Sequence, residues 1–181
     1  MHYCGKSRYC KEVFLILIAE TERLLLRDLE ENDIDALMFI WGDEEVMKYC
    51  GGSGSREREE SALAFYINLQ KERGYSPYAV ILKENSELIG VCGFTPPYDQ
   101  EHMELIYHFA KKYWGKGYAT EAARACVGLA RENLKSEKIV AFIDPNNEGS
   151  EKVLKKLGFM FKGRKWHGGS KKEEPWFELE L

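Results

Sequence analysis

Little in this composition ties the chain to a polyanion, a membrane or an oxidising compartment. Lys and Arg number 26 against 30 Asp and Glu, for a net charge of −4. Without a basic excess the chain is not one that lives on DNA, RNA or anionic lipid, because those partners select a positive surface. The apolar run Val13 to Ala19 is seven residues long, whereas a membrane span needs about 20. Lys6, Arg8 and Lys11 precede it as in a secretory leader, yet Glu20-Thr21-Glu22-Arg23 follows where a small-residue cleavage site would stand. Residues 1–13 are therefore read as an N-terminal extension, and residues 14–181 as a single domain.

The five Cys, at positions 4, 10, 50, 92 and 126, are odd in number and show no close-paired framework. No Asn-x-Ser/Thr acceptor occurs. Both absences point to reduced thiols in the cytoplasm. His2, His102, His108 and His167 show no ligand spacing with Cys and no His-Glu-x-x-His, so no metal is expected.

What is present is ordinary globular material. The chain has 181 residues, 44% of them hydrophobic, and a chain of this size buries about 70% of its surface, enough for one core without staples. Alternation around Leu24-Leu25-Leu26 predicts a strand over Glu20–Leu29. A helix capped by Asn32 or Asp33 carries Ile34, Leu37, Met38 and Trp41 at helical spacing and ends at Gly42. After a Gly- and Ser-rich turn at residues 51–55, a second helix runs from Arg56 to Arg73 with Gly74 as its stop. Its acidic start at Glu57, Glu59 and Glu60 is explained by the helix macrodipole alone. Then the period changes to two: a hairpin over residues 78–82 and 88–94, and a strand over Met103–Phe109. A helix over Gly117–Leu134, a short strand over Lys138–Ile143, a helix capped by Ser150 and closed by Gly158, and strands over Phe159–Lys165 and Trp176–Leu181 complete one mixed α/β domain.

The chemistry is concentrated in Lys111-Lys112-Tyr113-Trp114-Gly115-Lys116-Gly117-Tyr118-Ala119-Thr120-Glu121. Two glycines between a strand and a helix let backbone N–H groups converge on one point, where the helix N-terminus adds roughly half a positive charge. That is a cradle for an anion, with Lys111, Lys112 and Lys116 as mobile cations around a phosphate or pyrophosphate. It is neither familiar phosphate loop. A dinucleotide fingerprint needs Gly or Ala at 120, where Thr120 stands, and the Gly5-Lys6-Ser7 ending of a Walker motif has its partner glycine before residue 1.

In the company of other segments, this loop resembles that of the GNAT superfamily of acyl-CoA N-acyltransferases, especially the branch that acetylates ribosomal-protein N-termini. Thr21-Glu22-Arg23-Leu24-Leu25-Leu26-Arg27 looks like the branch's opening strand and Glu104-Leu105-Ile106-Tyr107 like its central strand. Trp114 to Ala122 is similar to its CoA-pyrophosphate loop. Asn147-Glu148-Gly149-Ser150, with Leu154-Lys155-Lys156-Leu157-Gly158-Phe159, resembles its second CoA-contacting stretch. The resemblance covers about residues 20–181. It departs at Lys112, where Gln or Arg is common, and at Ile106, where Gly is. It implies a mostly antiparallel twisted sheet of about six to seven strands flanked by helices. It further implies acetyl-CoA as cosubstrate, an amine acceptor, either a protein N-terminus or a small molecule, and a homodimer.

Acyl transfer to an amine needs a deprotonated amine, a polarised carbonyl and a stabilised leaving thiolate. Glu104 is the expected general base, acting through water. By the resemblance, backbone N–H groups from Tyr107 to Phe109 hold the oxyanion. The Tyr that many family members place in the last CoA-contacting helix is replaced by Leu154, which leaves Ser150 as the candidate donor to the thiolate. Asn147 is expected on the pantetheine arm, and Tyr107, Tyr113, Trp114, Tyr118 and Ala119 along the CoA channel. Trp41, Tyr49 and Tyr66 lie in the segment that, by resemblance, roofs the acceptor pocket. The rival reading is an idle CoA-binding sensor or interaction module.

Overall fold

A computed structural model of the chain describes residues 17–96, 102–133 and 136–181. The expected extension over residues 1–13, with Cys4 and Cys10, lies outside the described residues. The strand expected over Glu20–Leu29 is β2 (Leu24–Arg27), and a short β1 (Leu17–Glu20), drawn mostly from the apolar run before it, pairs with it. Thr21 makes the turn between them: its N–H donates to Leu24 O at 2.9 Å, and its Oγ1 accepts from Leu24 N–H at 3.0 Å. At the far end of β2, Arg27 forks onto both carboxylate oxygens of Asp33 at 2.7 and 2.6 Å. Asp33 also accepts from Glu30 N–H at 2.8 Å, which fixes where the next helix starts.

That helix, α1 (Ile34–Trp41), ends at Gly42. A short α2 (Glu44–Met47), absent from the sequence reading, is started by Asp43, whose side chain accepts from Glu45 and Val46 N–H. It is followed by α3 (Arg56–Arg73), closed by Gly74 in the left-handed region. Strands β3 (Pro77–Leu82) and β4 (Glu87–Thr95) form the predicted hairpin. Next come β5 (Met103–Phe109), α4 (Tyr118–Asn133), β6 (Lys138–Phe142) and α5 (Glu148–Leu157). The chain closes with β7 (Met160–His167) and β8 (Lys172–Glu180). β8 begins four residues before the Trp176 expected as its start.

The described strands make one eight-stranded sheet in the order β1-β2-β3-β4-β5-β6-β8-β7. The count exceeds the six to seven expected by the short edge strand β1. Every neighbouring pair is antiparallel except β5 beside β6. Leu24, Leu26, Val80, Ile89, Val91 and Phe94 are fully buried in the sheet's core. α4 presents Ala122, Ala123, Cys126, Val127 and Ala130 to that core; such small side chains let a helix lie close to a sheet. Cys50, Cys92 and Cys126 are free thiols. No described helix is long and apolar enough to cross a membrane.

Candidate active site

Strands β5 and β6 pair only at Met103↔Ile139 and Glu104↔Val140. Beyond that point they part, and a crevice outside the carboxyl ends of parallel strands is where ligands bind in open α/β sheets. A cavity of about 960 Å³ opens there, reaching Glu104–Phe109 on one side and Ala141–Asp144 on the other. The β4 side of β5 stays paired through Gly90↔Phe109. Ala110 N–H donates to Ile89 O at 3.0 Å. Counting back with the strand's period of two, the amides of His108 and Ile106 also point to β4, and those of Phe109 and Tyr107 point into the crevice.

Past β5 a 3₁₀ turn at Lys111–Tyr113 leads into the glycine loop. Gly115 (φ +74°) and Gly117 (φ +85°) both occupy the left-handed region, a conformation that turns successive amides toward one side and that side chains resist. The first amides of α4 have no partner within the helix, and Gly115, Gly117 and residues 118–120 line the cavity. The β1–β2 turn clamps this loop from behind. Arg23 donates from Nη1 to Lys116 O at 3.0 Å and from Nε to Glu121 at 2.7 Å. Thr21 Oγ1 and Arg23 N–H donate to the other Glu121 oxygen at 2.6 and 2.9 Å. Burial alone would push the Glu121 carboxyl up, but these hydrogen bonds outweigh it and hold it below its ordinary range.

Tyr107 Oη lies 2.6 Å from Ser150 Oγ and donates to Ser150 O at 3.1 Å. Burial pushes the Tyr107 phenol up, against the pull of Ser150, so it keeps its proton at neutral pH. The α5 cap is Asn147, not Ser150 as the sequence suggested: Asn147 Oδ1 accepts from Ser150 N–H at 3.0 Å. Its Nδ2 remains as a donor on the cavity wall. Glu104 is buried, with its carboxylate 3.6 Å from His167 Nε2. His167 Nδ1 is 3.2 Å from Glu174, and its ring stacks on Phe142 with centroids 4.7 Å apart. Tyr49 and Tyr66 line the same cavity, while Trp41 belongs to the core. Among the described residues no cluster of His, Cys, Asp and Glu is arranged to hold a metal ion.

The family model described as Acetyltransferase (GNAT) domain matches residues 23–160. The chain belongs to the GNAT acetyltransferase family. An N-acetyltransferase named p20 of Bacillus licheniformis is 34% identical over 147 residues, spanning 79% of this chain and 82% of that one. A GNAT-family acetyltransferase structure from Bacillus anthracis superposes with a TM-score of 0.75 at 29% identity, covering 89% of this chain and 96% of the other. The ribosomal L7/L12 α-N-protein acetyltransferase RimL, solved with coenzyme A, shares the fold with a TM-score of 0.76 at 17% identity, over 91% and 98% of the two chains.

Within this GNAT chain the structure gathers most of the predicted site around one cavity. Glu104, Tyr107, Phe109, Tyr113, Trp114, Gly115, Gly117, Tyr118, Ala119, Asn147 and Ser150 all border it. The lysines do not. Lys111 pairs with Glu45 and Lys112 with Glu87, and Lys116 sits over the Tyr113 ring at 5.4 Å. Each of these side chains thus has a partner within the protein. Three cavity residues were missed in the sequence. His167 and Glu174 come from β7 and β8, more than 60 residues beyond Glu104, and no local spacing signals them. His108 was considered only as a metal ligand. Burial lowers it to about 4, so it is neutral, and its Nδ1 has no hydrogen-bond partner among the described residues.

Proposed function

We propose that the chain transfers the acetyl group of acetyl-CoA to a primary amine, on a protein N-terminus or a small molecule, in the cytoplasm. The observation that carries this reading is that an amide-lined loop and a buried carboxylate, Glu104, face one crevice. The amides of residues 115–120 would hold the pyrophosphate, and Asn147 Nδ2 would donate to a pantetheine carbonyl. Tyr107 and Phe109 N–H would take the developing oxyanion. Glu104 would accept the proton of the acceptor ammonium, directly or through water. The Tyr107–Ser150 hydroxyl pair would donate to the leaving thiolate, a job that needs a group still protonated at neutral pH. It stands where Leu154, fully buried, offers no hydroxyl.

The test is thiol release from acetyl-CoA over a panel of peptides and amines. Release above the hydrolysis background with at least one amine supports the reading. Tight CoA binding with no release for any of them supports the idle binding module instead. Gly117→Val is the control for the cradle. A branched side chain at φ +85° re-aims the loop amides, so the variant should lose the thermal stabilisation that CoA gives the parent, which is about 2.7 kcal/mol at 100 times the dissociation constant. An undiminished thermal shift in this variant would move the pyrophosphate elsewhere.

A further inference from the structure

The Glu104 carboxylate does not stand alone at the end of the crevice. His167 lies between it and Glu174, with Nε2 toward Glu104 at 3.6 Å and Nδ1 toward Glu174 at 3.2 Å. The far carboxylate is itself held: Lys172 Nζ is 3.4 Å from Glu174 and 2.6 Å from Asp144. Phe142 fixes the plane of the imidazole by stacking. Ser170 reaches Nδ1 with its hydroxyl at 3.2 Å and its N–H at 3.4 Å. The ring is the most solvent-exposed of the three groups, 21% against 11% for Glu104 and 5% for Glu174. A path from Glu104 therefore meets solvent at the ring, with Glu174 behind it.

The stoichiometry of the proposed reaction requires such a path. An acceptor ammonium loses two protons as its nitrogen forms the new C–N bond and the C–S bond breaks. The leaving thiolate takes one, and the other has to reach water before the next turnover. We infer that His167 is a positioning residue that acts through Glu104, orienting its carboxylate and relaying the proton it has taken to solvent, with Glu174 supporting the imidazolium in transit. The neutral ring has two tautomers: with Nδ1 accepting from Ser170 N–H its proton lies on Nε2, toward Glu104, and the relay runs through the other, with the proton on Nδ1 toward Glu174 and the Nε2 lone pair turned to Glu104. A long contact of this kind closes, or is bridged by a water, when the substrates are bound.

The charges that face the ring are Glu104 from β5, Glu174 and Lys172 from β8 and Asp144 after β6. From the helical roof, Cys50 and Tyr66 are the nearby titratable groups, and both stay protonated at neutral pH, pushed up by burial to about 11 and about 12. The neighbouring Glu104 carboxylate is the largest influence on His167. It acts against burial and raises the imidazole above its ordinary value. The ring is thus neutral, and able to accept, only above that raised value. His108, lowered to about 4, titrates well below this window.

The inference rests on the acetyl-transfer reading, and two measurements on the full chain separate their failures. In an NMR titration of the ligand-free protein, His167 should titrate above an ordinary histidine, near 6.5. Glu174→Gln and Glu104→Gln should each lower it. An ordinary value in the parent, or no fall in either variant, overturns the inference whether or not the chain transfers acetyl groups. The second measurement is the pH profile of kcat at saturating acetyl-CoA and the best amine of the panel. The parent should show an acid limb at the His167 value. Glu174→Gln should move that limb to lower pH in step with the NMR shift. His167→Gln should abolish it and lower kcat by on the order of tenfold, with little change in KM for acetyl-CoA. A limb that stays in place in Glu174→Gln, or a His167→Gln enzyme with the parent's profile, overturns the relay. No thiol release by the parent with any amine overturns the transfer reading and the relay with it.

Discussion

The two edges of strand β5 have opposite fates. Toward β4 the strand is paired from Glu104 to Phe109; toward β6 it is paired at Met103 and Glu104 and then left open. One edge is bonded within the sheet and the other opens onto the cavity, although the same residues supply both. A backbone amide that finishes its bonding in the sheet stabilises the fold, and one turned outward is available to a ligand.

Breaking the paired edge should have the largest effect. A Cβ on Gly93, in β4, would meet Ser76 O at 2.3 Å and Pro77 Cα at 2.8 Å, both backbone atoms that cannot step aside. Gly93→Val should therefore cost roughly 3 kcal/mol or more by forced displacement, visible as a lowered urea midpoint, with activity lost through unfolding. Breaking the open edge should leave the fold and remove turnover. Glu104→Gln should lower kcat about 100-fold, near 2.7 kcal/mol, while the dissociation constant for CoA stays near the parent value. Parent-like turnover would mean that another group takes the proton.

Two smaller effects sharpen the comparison. Glu121 joins the open edge to the frame, and its carboxyl is held below the ordinary range in the folded state. Such a group contributes stability that is present above its unfolded value, about 4.3, and lost as pH falls through the lower folded value. Glu121→Gln should be less stable than the parent by roughly 1.5 kcal/mol at pH 7, and denaturation curves of the two should converge only once the pH has fallen below the lowered folded value of Glu121. Ser150→Ala should be mildest. Tyr107 keeps Ser150 O as an acceptor at 3.1 Å, so a fall of only a few-fold in kcat is expected, with an unchanged melting temperature.

Much of the frame was legible in the sequence because local rules set it. Gly42, Gly74 and Gly158 end the helices they were read to end, and the apolar alternation from Tyr78 to Phe94 is a hairpin. The turn at 113–119 was legible because Gly115 and Gly117 can enter the left-handed region that other residues resist, and both do. Readings failed where a short element or a distant partner decides. Four residues of α2 are too few for a periodic signal, and its Asp43 cap resembles any loop Asp. Asn147 outcompeted Ser150 as cap because both side chains suit the position and only the backbone chooses. Lys111 and Lys112 were drawn to Glu45 and Glu87, partners fixed by the tertiary fold. His167 reaches Glu104 only because β6 and β8 place β7 beyond the opening, which no spacing in the chain encodes.

The clamp from the β1–β2 turn has a consequence for how the protein is made. Arg23 and Glu121 are 98 residues apart in sequence, and contacts of such separation form late. During synthesis, at about 5–20 residues per second, the turn at Thr21–Arg23 emerges many seconds before the helix start it will grip. A half-finished chain therefore has the turn without the loop that it grips, and the clamp waits on residues made much later.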